Sequence, residues 1–222
     1  VVILSMRGPG LAARTALEET ARATSRLKIA ATVGLPWERR GRIYNVTAFL
    51  HEGRVLGLVP RMYDSPGPFS SADEKTDEEV AFRGYSCPFS AGLIFQPANL
   101  PDGGIAIVPG SDWPSVVPWS SQMALRGATV LVNPSADEAT AGHSQNLANG
   151  IREHSARCRA AYLHASAGPW ESSTDNVFAG HSLIAENGTV LAETRPMSFA
   201  PGAALADVDL QLLANARTRV GD

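Results

Sequence analysis

The sequence predicts a layered α/β domain, because helix-type and strand-type hydrophobic patterns alternate along its 222 residues. Two continuous apolar runs, residues 105–108 and 129–132, are typical of strands buried on both faces of a sheet. Residues 11–27 place apolar side chains at helical spacing instead. Residues 180–194 alternate around Asn187-Gly188, a dipeptide that favours a type I′ hairpin turn.

The first half of the chain is predicted to contain a strand at residues 1–4, the helix at 11–27 and a strand at 29–33. Gly34-Leu35-Pro36 is expected to end that second strand. A hairpin follows, with strands at 44–50 and 55–59. Residues 63–84 are rich in Ser, Pro, Gly and acidic residues, so we expect a long loop, with a short helix at 72–80 as an option.

The second half is predicted to add a helix at 143–159 that leads into a strand at 161–165. Strands at 180–185 and 189–194 form the Asn-Gly hairpin. A closing helix at 209–217 is expected to be capped by Asp207 or Asp209. Because neither an internal repeat nor an interdomain linker is visible, we expect one domain over residues 1–222.

Composition excludes several classes of function. The net charge of −3 and the lack of a Lys/Arg cluster argue against nucleic-acid binding. No apolar run reaches the roughly 18 residues of a membrane span, and residues 1–4 are too short for a signal peptide.

Two cysteines are too few for a disulfide framework, so a cytoplasmic location is expected. The five histidines lack metal-ligand spacing, so we expect no metal ion and no cofactor.

Motifs over nearly the whole chain resemble the glutaminase domain of glutamine-dependent NAD synthetases, a branch of the nitrilase (carbon–nitrogen hydrolase) superfamily. The most informative segment is residues 155–193, SARCRAAYLHASAGPWESSTDNVFAGHSLIAENGTVLAE. Shorter matches are GRIYN at 41–45, GRVLG at 53–57, CPF at 87–89, ALRGATVLVN at 124–133 and ADVDL at 206–210. The resemblance implies a nitrilase-type four-layer αββα sandwich, complete or lacking the family's first strand and helix, without the synthetase domain.

The resemblance also implies a catalytic triad that this chain lacks. Family enzymes hydrolyse an amide with a Cys nucleophile, a Glu that transfers protons and a Lys that stabilises the oxyanion. The matching positions are Gly110 for Cys, Ser5 for Glu and Arg61 for Lys. Glycine has no side chain to attack with, and the planar guanidinium of Arg61 does not replace a compact ammonium. We therefore predict no catalytic residue at these positions.

Four further positions match the family's substrate-binding residues and predict a vestigial pocket. Ser111 replaces a Glu, Asp112 keeps the family's Asp, Asp137 replaces a Ser, and His143 replaces a basic residue that would meet a carboxylate. A negative charge at Asp137 would repel an anionic substrate group.

Three other side chains could act as nucleophiles: Ser111, Cys158 and Cys87. Ser111 could attack with help from Ser5 or His143, although no Gly-x-Ser-x-Gly elbow surrounds it. Cys158 matches a structural Cys of the family, and Cys87 precedes Pro88 at a loop edge; both are interpreted as structural. The tryptophans fit either a protein-binding patch or ordinary packing: Trp37, Trp113, Trp119 and Trp170.

Three functional hypotheses follow from these residues. The leading one is a catalytically inactive glutaminase-like domain that acts as a structural or regulatory subunit. Its partner would be a second copy of itself, an active paralogue or a synthetase-type domain. The rival is an amide hydrolase, a glutaminase supplying ammonia for NAD synthesis, that uses non-standard residues. The third is a module that senses a small amide or nucleotide. We expect Ser5, Arg61, Gly110 and Ser111 to converge on one pocket. An occluded pocket would favour the subunit, and an open pocket with a nucleophile–base contact would favour the enzyme.

Overall fold

The structure is a computed structural model that describes residues 10–63, 68–73 and 75–219. The chain folds into two compact units, one comprising residues 1–93 and 107–109 and the other residues 94–106 and 110–222. The strand predicted at residues 1–4 lies outside the described residues. The assignment of one domain to residues 1–222 stays a prediction.

The first unit contains one five-stranded sheet within its described residues. Helix α1 (Gly10–Ala23) and a short 3-10 turn (Thr24–Arg26) precede the sheet. Its strands lie in the order β1-β2-β3-β5-β4: β1 (Ala30–Arg39), β2 (Arg42–His51), β3 (Arg54–Pro60), β4 (Asp77–Phe82) and β5 (Tyr85–Ser90). Only the pairing of β3 with β5 is parallel among the described strands of this sheet.

Helix α1 is amphipathic, as its apolar spacing predicts. Ala13, Leu17 and Ala21 recur every four residues and are buried against the sheet. Trp37 of β1 belongs to the same core, and the guanidinium of Arg14 lies 4.3 Å from the centroid of its ring. The helix predicted for this part of the chain is confirmed, and its packing accounts for one face of the sheet.

Strand β1 is longer than predicted. Instead of ending near Gly34, it continues to Arg39, and Pro36 pairs with Asn45 of β2. Proline cannot donate a hydrogen bond to a neighbouring strand, so it is tolerated best at the edge of a sheet. Because β1 is the outer strand next to β2 in the described sheet, Pro36 is tolerated there.

The optional helix at residues 72–80 is wrong, because β4 occupies residues 77–82. Val80 and Phe82 are buried, whereas Glu79 and Ala81 are exposed, which is the two-residue period of a strand. The acidic composition conceals this period. Glu78, a partly buried residue of β4, is bound by Arg39 at 2.8 Å and Arg40 at 2.9 Å.

The second unit contains a six-stranded sheet in the order β11-β10-β9-β8-β7-β6. Its strands are β6 (Ile94–Phe95), β7 (Ile105–Ile107), β8 (Val130–Ser135), β9 (Ala161–Ser166), β10 (Leu183–Glu186) and β11 (Thr189–Glu193). Strands β8 and β9 run parallel, with Asn133 beside His164. The helices are α2 (Trp119–Leu125), α3 (His143–Cys158) and α4 (Leu210–Thr218), and a 3-10 turn spans Pro169–Glu171.

Several predictions for this unit are confirmed. Helix α3 lies within one residue of its predicted bounds. Asp209 caps α4, because its Oδ1 accepts the Leu212 N–H at 2.9 Å. Asn187 and Gly188 have φ angles of +44° and +89°, the left-handed pair that a type I′ turn requires. Helix α2, by contrast, was not predicted, because its Trp-Ser-Ser-Gln segment is short and polar.

Arg217 of α4 holds the ends of the neighbouring elements together. Its guanidinium donates to the carbonyls of Ala128 at 2.6 Å, Cys158 at 3.1 Å and Arg159 at 3.1 Å. The last carbonyls of a helix have no partner within it, so this side chain satisfies the end of α3.

Within the described residues, no helix is long and apolar enough to cross a membrane.

Close packing of Trp113 on α3 gives a test of this unit. A Cβ atom at Gly150 would lie 2.2 Å from the indole ring of Trp113. Helix propensity favours alanine over glycine by about 1 kcal/mol. The overlap opposes that gain, and overpacking costs about 1–3 kcal/mol. We expect Gly150→Ala to lower the free energy of unfolding measured by urea denaturation.

The matched control is Asn149→Ala on the exposed face of the same helix. It should change the free energy of unfolding by less than about 0.5 kcal/mol. A Gly150→Ala protein more stable than the wild type would contradict this packing.

Candidate functional site

Position 110 presents backbone only, and both of its polar groups are bound by the end of β8. The Gly110 N–H donates to the Pro134 carbonyl at 2.8 Å, and the Gly110 carbonyl accepts from Asn133 Nδ2 at 2.6 Å. The φ angle of Gly110 is +83°, a left-handed conformation that glycine adopts without strain. The end of β8 therefore fixes this part of the chain through two hydrogen bonds.

The next two residues differ in role. Ser111 is half-buried, and its hydroxyl makes no hydrogen bond with any residue in the described ranges. Asp112 is buried and caps α2: its Oδ1 accepts the Trp119 N–H at 2.6 Å and its Oδ2 accepts the Ser120 N–H at 3.1 Å. The carboxylate of Asp112 is thus bound to the protein's own backbone.

A buried polar network extends from Asp112 into α3. His154 Nε2 lies 2.7 Å from Ser120 Oγ, and Arg157 Nη2 lies 3.3 Å from His154 Nδ1. Since a guanidinium can only donate, Nδ1 accepts, Nε2–H donates to Ser120, and the Ser120 hydroxyl donates to Asp112 Oδ2. Burial, with the charge of Arg157, lowers the pKa of His154 to about 4, so this imidazole is neutral at pH 7.

Neither cysteine has the environment of a nucleophile. Burial raises the pKa of the Cys158 thiol, whose Sγ lies 3.6 Å from His154 Nε2. In the first unit, Cys87 is fully buried, and burial, with the charge of Glu79, raises its pKa to about 11. Thiolate nucleophiles need a lowered pKa instead. These surroundings favour the interpretation of both cysteines as structural.

A second polar cluster lies at the end of the parallel strands β8 and β9. Asp137 is buried, and its Oδ1 accepts from Ser135 Oγ at 2.8 Å. His164 is only 3% exposed, and its Nδ1 lies 2.8 Å from Asn133 Oδ1. His164 Nε2 and Asp137 Oδ2 are 3.8 Å apart, and neither atom has a hydrogen-bond partner among the described residues.

The imidazole of His164 is uncharged at pH 7. Burial lowers the pKa of His164 to about 4; the charge of Asp137 opposes this shift, whereas His181 and His143 add to it. His143 is half-buried at the start of α3, after Gly142 with its φ of +78°. Asp137 and His143 therefore lie close enough to His164 to influence its charge.

Sequence reasoning identified Asp137 and His143 but missed Asn133 and His164. The missing signal is the strand register, since the parallel pairing of β8 with β9 sets Asn133 beside His164. A single sequence does not reveal which residues of two separate strands become neighbours.

The other two triad positions are Arg61 and Ser5. Arg61 belongs to the first unit, where its N–H donates to Asn45 O at 2.8 Å and its carbonyl accepts from Ala72 N–H at 3.0 Å. Ser5 lies outside the described residues. The described ranges contain no group of three or more His, Cys, Asp or Glu side chains placed to hold a metal ion.

Comparison with solved structures decides the fold. The chain is similar to a glutamine-dependent NAD(+) synthetase from Cytophaga hutchinsonii, with a TM-score of 0.73 and 20% identity over 86% of this chain and 32% of that one. It is also similar to Nit3 of Saccharomyces cerevisiae, a member of branch 10 of the nitrilase superfamily, with a TM-score of 0.68 and 16% identity over 99% of this chain and 72% of that one. The fold is that of the nitrilase superfamily. The predicted fold class is confirmed.

Sequence comparison shows which branch of the nitrilase superfamily the chain resembles. It is 35% identical over 195 residues to the glutamine-dependent NAD(+) synthetases of Mycobacterium tuberculosis (strain ATCC 25618 / H37Rv) and Mycobacterium leprae (strain TN). The match covers 85% of this chain but 29% of each relative, so the chain spans less than a third of their length. The predicted resemblance to the glutaminase domain of these synthetases is confirmed. No protein-family profile matches the chain.

The neutral His154 predicts acid sensitivity with a definite sign. Its pKa of about 4 lies below the ordinary value of 6.5, so the unfolded state binds the extra proton first. Stability is therefore complete above about pH 6.5 and is lost as the pH falls towards about 4. The loss is on the order of 3 kcal/mol for this one group.

Urea denaturation at pH 7, 6, 5 and 4 measures this effect. His154→Gln keeps an N–H donor for Ser120 but does not titrate, so its stability should fall less steeply with pH than that of the wild type. The control is His51→Gln, at a half-exposed site in the first unit. Identical slopes for the wild type and His154→Gln would show that this imidazole does not titrate as described.

Proposed function

We propose that this chain is a catalytically inactive glutaminase-like domain that serves as a structural or regulatory subunit. The observation that carries the proposal is Gly110, where a glycine tied to Pro134 and Asn133 stands at the position matching the family's nucleophile. Amide hydrolysis by the family's route needs a thiolate at that point. Backbone atoms already bound to β8 cannot take its place.

The neighbouring side chains support the same proposal. Asp112 is bound to two backbone N–H groups of α2, and Ser111 has no base within hydrogen-bond reach among the described residues. Serine is a poor nucleophile without such a base. Burial holds Cys87 and Cys158 in their thiol form at neutral pH. None of these four groups is prepared for attack on a carbonyl.

The chain keeps the nitrilase-type fold but has no cysteine at position 110. This combination suggests a role in binding other proteins instead of catalysis. We propose that the chain assembles with a second copy of itself, with an active paralogue or with a synthetase-type domain. The resemblance to synthetases more than three times as long as the matched region motivates the last two partners. A cytoplasmic location stays a prediction.

A glutaminase assay tests inactivity. Purified protein incubated with glutamine, with ammonia and glutamate both measured, should give no turnover above a buffer control because no activated nucleophile is present. Ser111→Ala and Cys158→Ser should give the same background. Turnover in the wild type that disappears in Ser111→Ala would support the rival hypothesis, an amide hydrolase that uses non-standard residues.

Solution mass tests the assembly. Light scattering coupled to gel filtration should give a multiple of the monomer mass, or a heteromeric peak when a glutamine-dependent NAD synthetase is added. A monomer at every concentration, with or without the synthetase, would contradict the subunit role without affecting the glutaminase result.

A further inference from the structure

We propose that Asn187 is a latent deamidation site, and that Ser155 of α3 keeps it unreactive by accepting the Gly188 N–H. When the turn between β10 and β11 leaves α3, Asn187 can convert to aspartate or isoaspartate. The proposal concerns a turn that the proposed function does not use, and it holds whether or not the chain is an enzyme.

The dipeptide Asn187-Gly188 carries both reacting groups. The Gly188 backbone nitrogen loses its proton and attacks Asn187 Cγ, the bond from Cγ to the side-chain nitrogen breaks, and ammonia leaves. A water molecule then opens the cyclic imide at either of its two carbonyl groups, which gives aspartate or isoaspartate at position 187. Asn187 is exposed, and glycine has no side chain that would obstruct the attack.

The conformation of the turn holds the reacting atoms apart. Asn187 and Gly188, with φ angles of +44° and +89°, connect the paired residues Glu186 and Thr189. The first central residue of a type I′ turn has a ψ angle of about +30°. At that angle the Gly188 nitrogen lies nearly opposite Asn187 Cβ about the Cα–C bond, whereas ring closure needs both atoms on the same side. The chain must therefore rotate about this bond before it can react.

Ser155 binds the nitrogen that would attack. The Gly188 N–H donates to Ser155 Oγ at 2.9 Å, and the Ser155 hydroxyl donates in turn to the Arg152 carbonyl at 2.9 Å. Because its hydrogen is directed to Arg152, the fully buried Ser155 oxygen presents a lone pair to Gly188. A hydrogen-bonded N–H gives up its proton less readily. The bond therefore opposes both the loss of the proton and the rotation of the turn.

Two further contacts hold the turn near the end of α3. The Asn187 N–H donates to the Ala160 carbonyl at 3.3 Å. A Cβ atom at Gly188 would lie 3.1 Å from Ala156 Cβ, so the backbone of the turn approaches the helix closely. Reaction therefore requires a local opening in which the turn leaves α3, and the rate of deamidation depends on the fraction of molecules that are open.

Reaction would also change the surroundings of Glu186. This residue is buried, and its Oε1 accepts the Asp209 N–H at 2.6 Å, at the start of α4. A new carboxylate at position 187 would repel the carboxylate of Glu186. Isoaspartate would also add a methylene group to the backbone of the turn. Deamidation should therefore weaken both the β10–β11 hairpin and the attachment of α4.

Two rates measured on the same protein test the proposal. One is hydrogen exchange of the Gly188 amide, followed by NMR, and the other is formation of aspartate and isoaspartate at position 187, followed by peptide mass spectrometry. Both processes need the Gly188 N–H to be released from Ser155. Ser155→Ala should therefore raise both rates by a similar factor, about 2- to 10-fold, which corresponds to the loss of one hydrogen bond.

The matched control is Ser144→Ala, the same chemical change near the other end of α3. It should leave both rates as they are in the wild type. A wild-type rate of either process in Ser155→Ala would overturn the proposal, as would an equal acceleration of both processes in Ser144→Ala.

The wild type alone provides a reading that does not depend on a variant folding. Asn187 should deamidate more slowly in the native protein than in the same protein unfolded in urea. The expected factor is on the order of ten or more, because both the hydrogen bond to Ser155 and the turn conformation must be lost first. Equal rates in the native and unfolded protein would show that the fold does not protect Asn187, and the proposal would be wrong.

Discussion

The side chain of Asn133 is the constraint on which the second unit's polar architecture depends. It is fully buried at the end of β8 and uses both ends of its amide, donating to the Gly110 carbonyl and accepting from His164 Nδ1. A buried amide with both groups satisfied fixes its neighbours in one arrangement. The backbone at position 110, the tautomer of His164 and the direction in which His164 faces Asp137 all follow from it.

Other polar groups near the site are also bound within the fold. Asp112 holds the start of α2, and its second oxygen connects through Ser120 to a neutral His154. At the far end of α3, Arg217 satisfies the carbonyls of Cys158 and Arg159. Asp112 and His154, two groups capable of acid–base chemistry, are therefore held in structural hydrogen bonds.

The sequence predicts this fold where local signals are strong and misses it where long-range pairing decides. The periodicity of α3, the Asn187-Gly188 turn and the Asp209 cap are local, and all three are confirmed. Strand β4 was mistaken for loop or helix because its exposed face is acidic. Strand β1 continues past Pro36, which is tolerated because β1 is an outer strand of the described sheet. Asp137 was identified, but its partner His164 depends on the register of β8 against β9.

The central proposal is that no side chain among the described residues is activated to attack a carbonyl. An electrophilic glutamine analogue, such as a glutamine chloroketone, tests it directly, because it forms a covalent bond with any activated nucleophile that it reaches. Intact-mass spectrometry after incubation at neutral pH should show the unmodified chain alone. A stoichiometric adduct, mapped by peptide digestion to Ser111, Cys87 or Cys158 and prevented by excess glutamine, would contradict the account.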